Sequence, residues 1–250
     1  MVVLEEKVTF VQNIPMNGKL YLIPTTLGEG NPADVLPEHT MEVARSLTTF
    51  VVENLRSARR FLSKIGINTP IDQLLFFELN EHTDLTTVTS MIVPALKGTN
   101  IGLLSEAGAP AVADPGAPLV RLAHSKGIQV VPLTGPSSIL LSLMASGLNG
   151  QNFAFQGYLP VKPPERQKRL RELEIISHKE KQTQVFIEAP YRNMQLLNDI
   201  LTTCSGSTYL CIAADITLES EYILTKTISS WKKPLPELHK RPCIFLLLKE

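Results

Sequence analysis

Cysteine is scarce in this chain. Its 250 residues hold 3 cysteines, Cys204, Cys211 and Cys243, with no CxxC spacing and one left over from any pairing. That fits a reducing cytoplasm better than a disulfide framework. The 5 histidines are scattered, without HxxxH or HxxEH spacing, so no metal site is expected. No apolar run approaches the ~18 residues needed to span a bilayer. The opening MVVLEEKVTF has early glutamates and no basic segment ahead of an apolar one. No signal peptide is therefore expected, and the expected location is cytoplasmic, away from membranes. GxGxxG, GxxxxGK and GxSxG are missing too. A dinucleotide fingerprint, a P-loop and a hydrolase elbow are thereby excluded, and any nucleoside must be held by other means. Net charge is also absent: 24 basic and 24 acidic side chains balance, which disfavours a uniformly basic nucleic-acid coat.

The balance is uneven along the chain. Residues 1–160 carry 10 basic and 13 acidic residues, a net of −3, and residues 161–250 carry 14 and 11, a net of +3. The excess lies in Lys162–Arg171 and Lys226–Arg241, each with five basic residues and one acidic. A neutral total therefore leaves room for a basic wall in the second half.

What the chain does have is alternation. Short apolar runs at Leu20–Pro24, Phe50–Glu53, Ile101–Ser105 and Ile128–Leu133 read as strands. Between and after them, Arg56–Ile65, a stretch from Thr83 or Asp84 to Lys97, Ala117–Lys126 and Ser137–Ser146 read as helices, with Gly66, Gly98 and Gly127 as stops. This predicts an α/β fold with a mostly parallel sheet. Around Gly147–Gln151 the pattern pauses, which divides the chain into an N-terminal α/β domain, 1–150, and a C-terminal α+β domain, 151–250. In the second, Phe153–Gln156, Thr183–Ile187, Thr208–Ala213, Tyr222–Thr227 and Cys243–Leu248 read as strands of a mixed sheet, with helices over Glu165–Ser177 and Asn193–Thr202.

Ligands of parallel sheets sit at the carboxyl ends of the strands. That singles out Thr25–Asn31, Glu106–Gly116 and Thr134–Pro136, each rich in Gly and Pro. Small residues in Ser105–Gly116 let a ligand approach the backbone closely. Asp114 is placed to cap the following helix with Pro115 in its first turn, or the loop's backbone groups hold a polar ligand. Ser137 is a plausible N-cap at a helix end that favours anionic groups.

Five stretches, LYLIPTTLGEG, LLSEAGAPAVADPG, VPLTGPSSILLSLMASGL, FAFQGYLPVKPPERQKRL and VFIEAPYR, resemble in order and spacing the tetrapyrrole methylase superfamily, the class III S-adenosylmethionine-dependent methyltransferases. They are most similar to its branch that methylates the ribose 2′-hydroxyl of a cytidine in small-subunit rRNA. The resemblance implies two α/β domains with S-adenosylmethionine folded in the cleft between them, a homodimer, no metal, and small ribosomal subunit RNA as partner. By position it assigns Leu27, Gly28, Val112, Ala113, Asp114, Ala117, Ser137, Ser138, Glu188 and Ile216 to the cofactor. The branch reads Glu-Asp-Thr-Arg where this chain has Glu53-Asn54-Leu55-Arg56, and Ser-Asp-Ala-Gly where it has Ser105-Glu106-Ala107-Gly108. It reads Arg-Glu-Leu-Thr at Ala214-Asp215-Ile216-Thr217. These departures leave two rival readings, methylation of a tetrapyrrole or other small molecule, and a non-catalytic S-adenosylmethionine-binding protein.

A ribose hydroxyl is a poor nucleophile at neutral pH and needs a base or a charge-stabilising group. Glu53 and Arg56 follow a strand, at the catalytic end of the sheet. Glu81 and His82 precede a helix and are substrate candidates. Arg166 shares a helical stripe with Leu170 and Leu173, which turns it inward or across the cleft, where its planar fork suits a phosphate. Lys168 and Arg171 fall on the opposite, solvated face. Tyr158 is placed to stack on a base, and Arg192 to bind substrate or close the cleft.

Overall fold

A computed structural model describes residues 17–231 and 234–250. The reading of the opening segment as free of a signal peptide lies outside the described residues, as do Lys232 and Lys233 of the second basic run.

The chain forms β1 (Leu20–Ile23), α1 (Glu38–Ser46), β2 (Thr49–Val52), α2 (Leu55–Ile65), β3 (Leu75–Glu78), α3 (Leu85–Met91), α4 (Val93–Leu96), β4 (Ile101–Leu104), α5 (Ala117–Ser125), β5 (Val130–Pro132) and α6 (Ser138–Ser146). It continues with β6 (Phe153–Tyr158), α7 (Pro163–Glu180), β7 (Thr183–Ile187), α8 (Asn193–Thr203), β8 (Tyr209–Ala214), β9 (Tyr222–Thr227) and β10 (Cys243–Leu248). The first five strands form one parallel sheet in the order β3-β2-β4-β1-β5. The last five form a second sheet, β6-β7-β10-β8-β9, in which only β6 and β7 run parallel. The expected α/β class, with a parallel and a mixed sheet, is what is found.

Both faces of the first sheet are covered, which is why its central strands are almost wholly apolar. Along β2 successive side chains alternate between two cores. Phe50 and Val52 enter one with Phe61, Leu62 and Ile65 of α2, and Val51 enters the other with Leu119 and Ala123 of α5. The capping chemistry of α2 is legible: Asn54 Oδ1 accepts the amides of Arg56 and Ser57, and Gly66 ends the helix at φ 74°. β10 divides its side chains likewise. Phe245 and Leu247 face α7 and α8, while Ile244 and Leu246 face the side covered by α6.

Four readings change. The helix expected up to Lys97 breaks into α3 and α4 around Ile92, because Pro94 has no amide to donate and its ring crowds the preceding turn. α1 and β3 were not anticipated. α1 has Pro37 at its N-cap and no side-chain cap, and β3 is a four-residue edge strand without buried alternation. The pause at Gly147–Gln151 follows α6, yet α6 packs on β8, β9 and β10 of the second sheet. Its place in the packing is therefore with the residues that come after it. Arg166, expected to reach a phosphate, is 1% exposed. It is locked to Asp199 by Nε at 2.7 Å and to the carbonyl of Val161 by Nη1 at 2.8 Å.

Candidate active site

The carboxyl ends of the parallel strands bring the three singled-out loops together. The Thr25 amide donates to the Gly108 carbonyl at 3.0 Å, and Ser105 Oγ donates to the same oxygen at 2.9 Å. The loop after β5 closes against the loop after β1 at Gly135, where an added Cβ would lie 2.4 Å from Pro24 Cβ. Asp114 does not cap α5. Its Oδ1 accepts the amides of Ala111 at 2.7 Å and Gly116 at 2.9 Å, and Gly116 occupies the cap position. The carboxylate thus holds the loop shape, in which Ala111 and Ala113 take φ of 64° and 61°. Ser137 stands at the N-cap of α6 but makes no side-chain cap bond, so its hydroxyl is left to the cavity it lines.

The second sheet supplies the facing wall. Ile216 is buried between Asp215 and Thr217, which take φ of 50° and 72°. Non-glycine residues in this region are uncommon and concentrate at functional sites. Asp215 is pinned by Arg241 Nε at 2.7 Å and Ser220 Oγ at 2.9 Å. Leu218, in the turn between β8 and β9, lies against Gly28, where a Cβ would come within 2.8 Å of its side chain, so the first loop and the second half of the chain approach closely at that glycine.

Between these walls lie adjoining cavities. One of about 270 Å³ is lined by Leu27, Ala107, Ser138, Glu188, Ala213, Ile216 and Ile244. A second, of about 260 Å³, shares Ala107, Ser138, Tyr158, Ile187 and Ile244 with it and adds Glu53, Val112, Ala113, Asp114 and Ser137. A third, about 830 Å³, shares Glu53, Glu106, Ala113, Asp114 and Tyr158 with the second and extends to Glu81 and His82. A fourth, about 380 Å³, joins Leu27 and Gly28 to Ser57, Arg60 and Lys64 of α2. Glu53 and Tyr158 therefore stand where a loop-lined space adjoins a wider one.

The electrostatics are specific. Burial raises the Glu53 pKa. The Glu106 amide, donating to it, pulls the other way, and the charges of Glu106 and Asp114 add to the rise. Burial likewise raises Asp114, against the two amides it accepts. Glu188 is more deeply placed. Its Oε1 accepts from the Ala189 amide at 2.7 Å and from Arg192 Nε at 2.9 Å, while Oε2 is sealed from solvent and has no partner. A buried carboxylate oxygen without a donor carries a penalty that a ligand donor removes.

Most sequence candidates converge here. The exceptions are Ala117, at the start of α5, Arg56, exposed on α2, the buried Arg166, and Arg192, which line none of these cavities. Arg192 touches the site through Glu188 and Tyr191 rather than as a free cation. Glu81 and His82 are exposed at the mouth of the third cavity. Sequence reasoning did not single out Glu106, which lines three of the cavities and accepts from Ser57 Oγ at 3.2 Å. Its only signal was the acid in Ser105-Glu106-Ala107-Gly108. Among the described residues no group of His, Cys, Asp and Glu is placed to hold a metal ion, and no helix is long and apolar enough to cross a membrane.

No family model matches the chain. Among curated proteins it is 33% identical over 213 residues to the ribosomal RNA small subunit methyltransferase I of Xylella fastidiosa strain Temecula1, covering 85% of this chain and 74% of that protein. It is 33% identical over 206 residues to the Escherichia coli O157:H7 protein of the same name, covering 82% and 68%. Among solved structures it is similar to the methyltransferase CobJ, with a TM-score of 0.62 at 16% identity over 93% and 94% of the two chains. It is also similar to uroporphyrin-III C-methyltransferase from Thermus thermophilus complexed with S-adenosyl homocysteine, with a TM-score of 0.56 at 15% identity over 93% and 98%. The two structural likenesses establish a shared tetrapyrrole methylase fold.

Proposed function

The chain belongs to the family of ribosomal RNA small subunit methyltransferase I, and from that premise we propose that it transfers a methyl group from S-adenosylmethionine to a ribose 2′-hydroxyl of small-subunit rRNA. The observation that carries this reading is the position of Glu53 where the loop-lined second cavity adjoins the wide third one. Of the loop-lined pair, the first has the apolar walls and the second the backbone turns that suit a nucleoside. The pair is lined by Leu27, Val112, Ala113, Asp114, Ser137, Ser138 and Ile216, with Glu188 Oε2 as an acceptor awaiting a hydroxyl or amine donor. S-adenosylmethionine supplies an electrophilic methyl group there.

The chain's own residues do the rest. Glu53 accepts the proton that the acceptor hydroxyl must lose. Its raised pKa makes it a stronger base than an ordinary carboxylate. Tyr158, 64% exposed at the same junction, offers a ring face on which an unpaired base stacks. Asp114 holds the loop against which the two reactants are aligned, because in-line placement is most of the catalytic task. Glu81 and His82 border the entry. In this reading each sheet with its helices is one domain, and the site lies between them. The protein works in the cytoplasm, where its RNA is, as a homodimer. Leu140 and Met144, exposed one turn apart on α6, supply an apolar surface for the second copy.

The test is transfer of labelled methyl to unmethylated small ribosomal subunits, with a tetrapyrrole precursor as competing acceptor. Label in the RNA at a ribose is expected, and label only in the tetrapyrrole would overturn the assignment.

A further inference from the structure

The second half of the chain holds the positive excess, but the structure disposes of much of it internally. Arg166 is paired with Asp199, Arg169 with Glu172, Arg192 with Glu188 and Arg241 with Asp215. Lys168 and Arg171 remain exposed, but they sit on α7. That helix covers the face of the second sheet opposite the cavities: Leu170 and Leu173 join the core on one side of β10, and the cavity-lining Ile244 faces the other.

The first half behaves in the opposite way. α2 carries Arg56, Arg59, Arg60 and Lys64 and no acidic residue. Three of these, Arg56, Arg60 and Lys64, recur every fourth residue on one exposed flank, about 6 Å apart along the axis. The helix begins directly after Glu53 and Asn54, so the stripe starts at the catalytic junction and leads away from it. Along the way Arg60 and Lys64 line the fourth cavity. Their existing partners are weak or leave capacity. The Arg60–Glu29 pair is 3.9 Å apart and exposed, worth little in water. Lys64 uses one of its three donors on the Gly30 carbonyl.

We propose that the stripe Arg56–Arg60–Lys64 is the docking track for successive phosphates of the acceptor RNA strand, with the fourth cavity receiving the nucleotide next to the one methylated. This deepens, and rests on, the rRNA reading above. The surface contributes affinity and register rather than base choice, because phosphate contacts carry no sequence information.

The test is the salt dependence of binding of the full chain to a single-stranded oligoribonucleotide, read by fluorescence anisotropy from 50 to 200 mM salt. Each phosphate contact in a single strand contributes about 0.7 to the slope of log affinity against log salt. Arg56→Gln/Arg60→Gln should therefore lower the slope by about 1.4 and shrink the affinity lost over that salt range about 7-fold. Arg56→Lys/Arg60→Lys should restore the slope, and Lys168→Gln/Arg171→Gln should leave it at the wild-type value. S-adenosylmethionine affinity, measured by calorimetry, should be equal in all four proteins. An unchanged slope in Arg56→Gln/Arg60→Gln, a fall in Lys168→Gln/Arg171→Gln instead, or no binding by the wild type would overturn the proposal. If the wild type labels only a tetrapyrrole, the rRNA reading fails separately, whatever the slopes show.

Discussion

Removing the Arg166 guanidinium tests whether it is a phosphate ligand or a brace between α7 and α8. The side chain is 1% exposed. Its Nε and Nη2 reach Asp199 at 2.7 and 2.5 Å, and Asp199 also accepts from Gln167 at 3.1 Å. Asp199 is itself only 14% exposed. Arg166→Ala leaves that carboxylate without its counter-charge and opens a void beside Leu170. Breaking such a buried pair costs about 3–5 kcal/mol, which for a chain of this size lowers Tm by roughly 6–20 °C. Arg166→Met/Asp199→Leu removes both charges and refills the volume. It should recover most of the loss, because a buried ion pair is often no better than an apolar replacement. Urea denaturation of the three proteins, alongside KM for small subunits, decides the matter. A loss below about 1 kcal/mol in Arg166→Ala, with a raised KM for RNA, would refute the structural reading and return Arg166 to the substrate.

The remaining predictions concern the site. Glu53→Gln should abolish methyl transfer without weakening S-adenosylmethionine binding, and in the wild type the rate should fall as pH drops through the raised Glu53 pKa. The same substitution should stabilise the fold at neutral pH. A carboxyl whose folded pKa is raised favours folding below its unfolded pKa, and that contribution is lost as pH rises through the folded value. Thermal melts from acid to neutral pH that show no such gain would count against the burial of Glu53. Glu188→Gln should weaken S-adenosylmethionine binding by loss of a charge-assisted hydrogen bond worth about 1.5–3 kcal/mol, roughly 10- to 150-fold, and calorimetry finding the wild-type Kd would remove Glu188 from the cofactor site. Gly135→Ala drives a Cβ to 2.4 Å from Pro24 and should cost about 1–3 kcal/mol by overpacking, so an unchanged Tm would contradict the contact between those two loops.

Which features were legible in the sequence follows from the range over which their signals act. Gly66 after an apolar helical stripe, and Gly and Pro clusters after apolar strands, are local signals, and they located α2 and the three loops correctly. β3 and α1 carry no local signal of that strength: β3 is a short edge strand, and α1 lacks a side-chain cap. Arg166 was read correctly as inward-facing, because a helical stripe fixes direction. Its partner Asp199 lies 33 residues on in another helix, and no periodicity reveals it. Glu188 was named through family likeness alone. What makes it informative, one oxygen satisfied and the other sealed without a donor, exists only once β7 and the turn after it are folded.

Charge was the signal most easily misread. Counting by halves assigned the basic wall to residues 161–250, yet a count along the chain does not distinguish a cation neutralised in the interior from one facing solvent. Burial and pairing remove Arg166, Arg192 and Arg241 from the field that a ligand meets. Four cations without an acid on a single eleven-residue helix outweigh them, although that helix belongs to the half with a net of −3. An approaching polyanion responds to potential at the surface within about a Debye length, about 8 Å at physiological salt. On that scale the unit that matters is the face of α2 beginning at Glu53. In the proposed reading, attraction at that face also delivers the strand to Glu53, so one helix would join RNA capture to the chemical step.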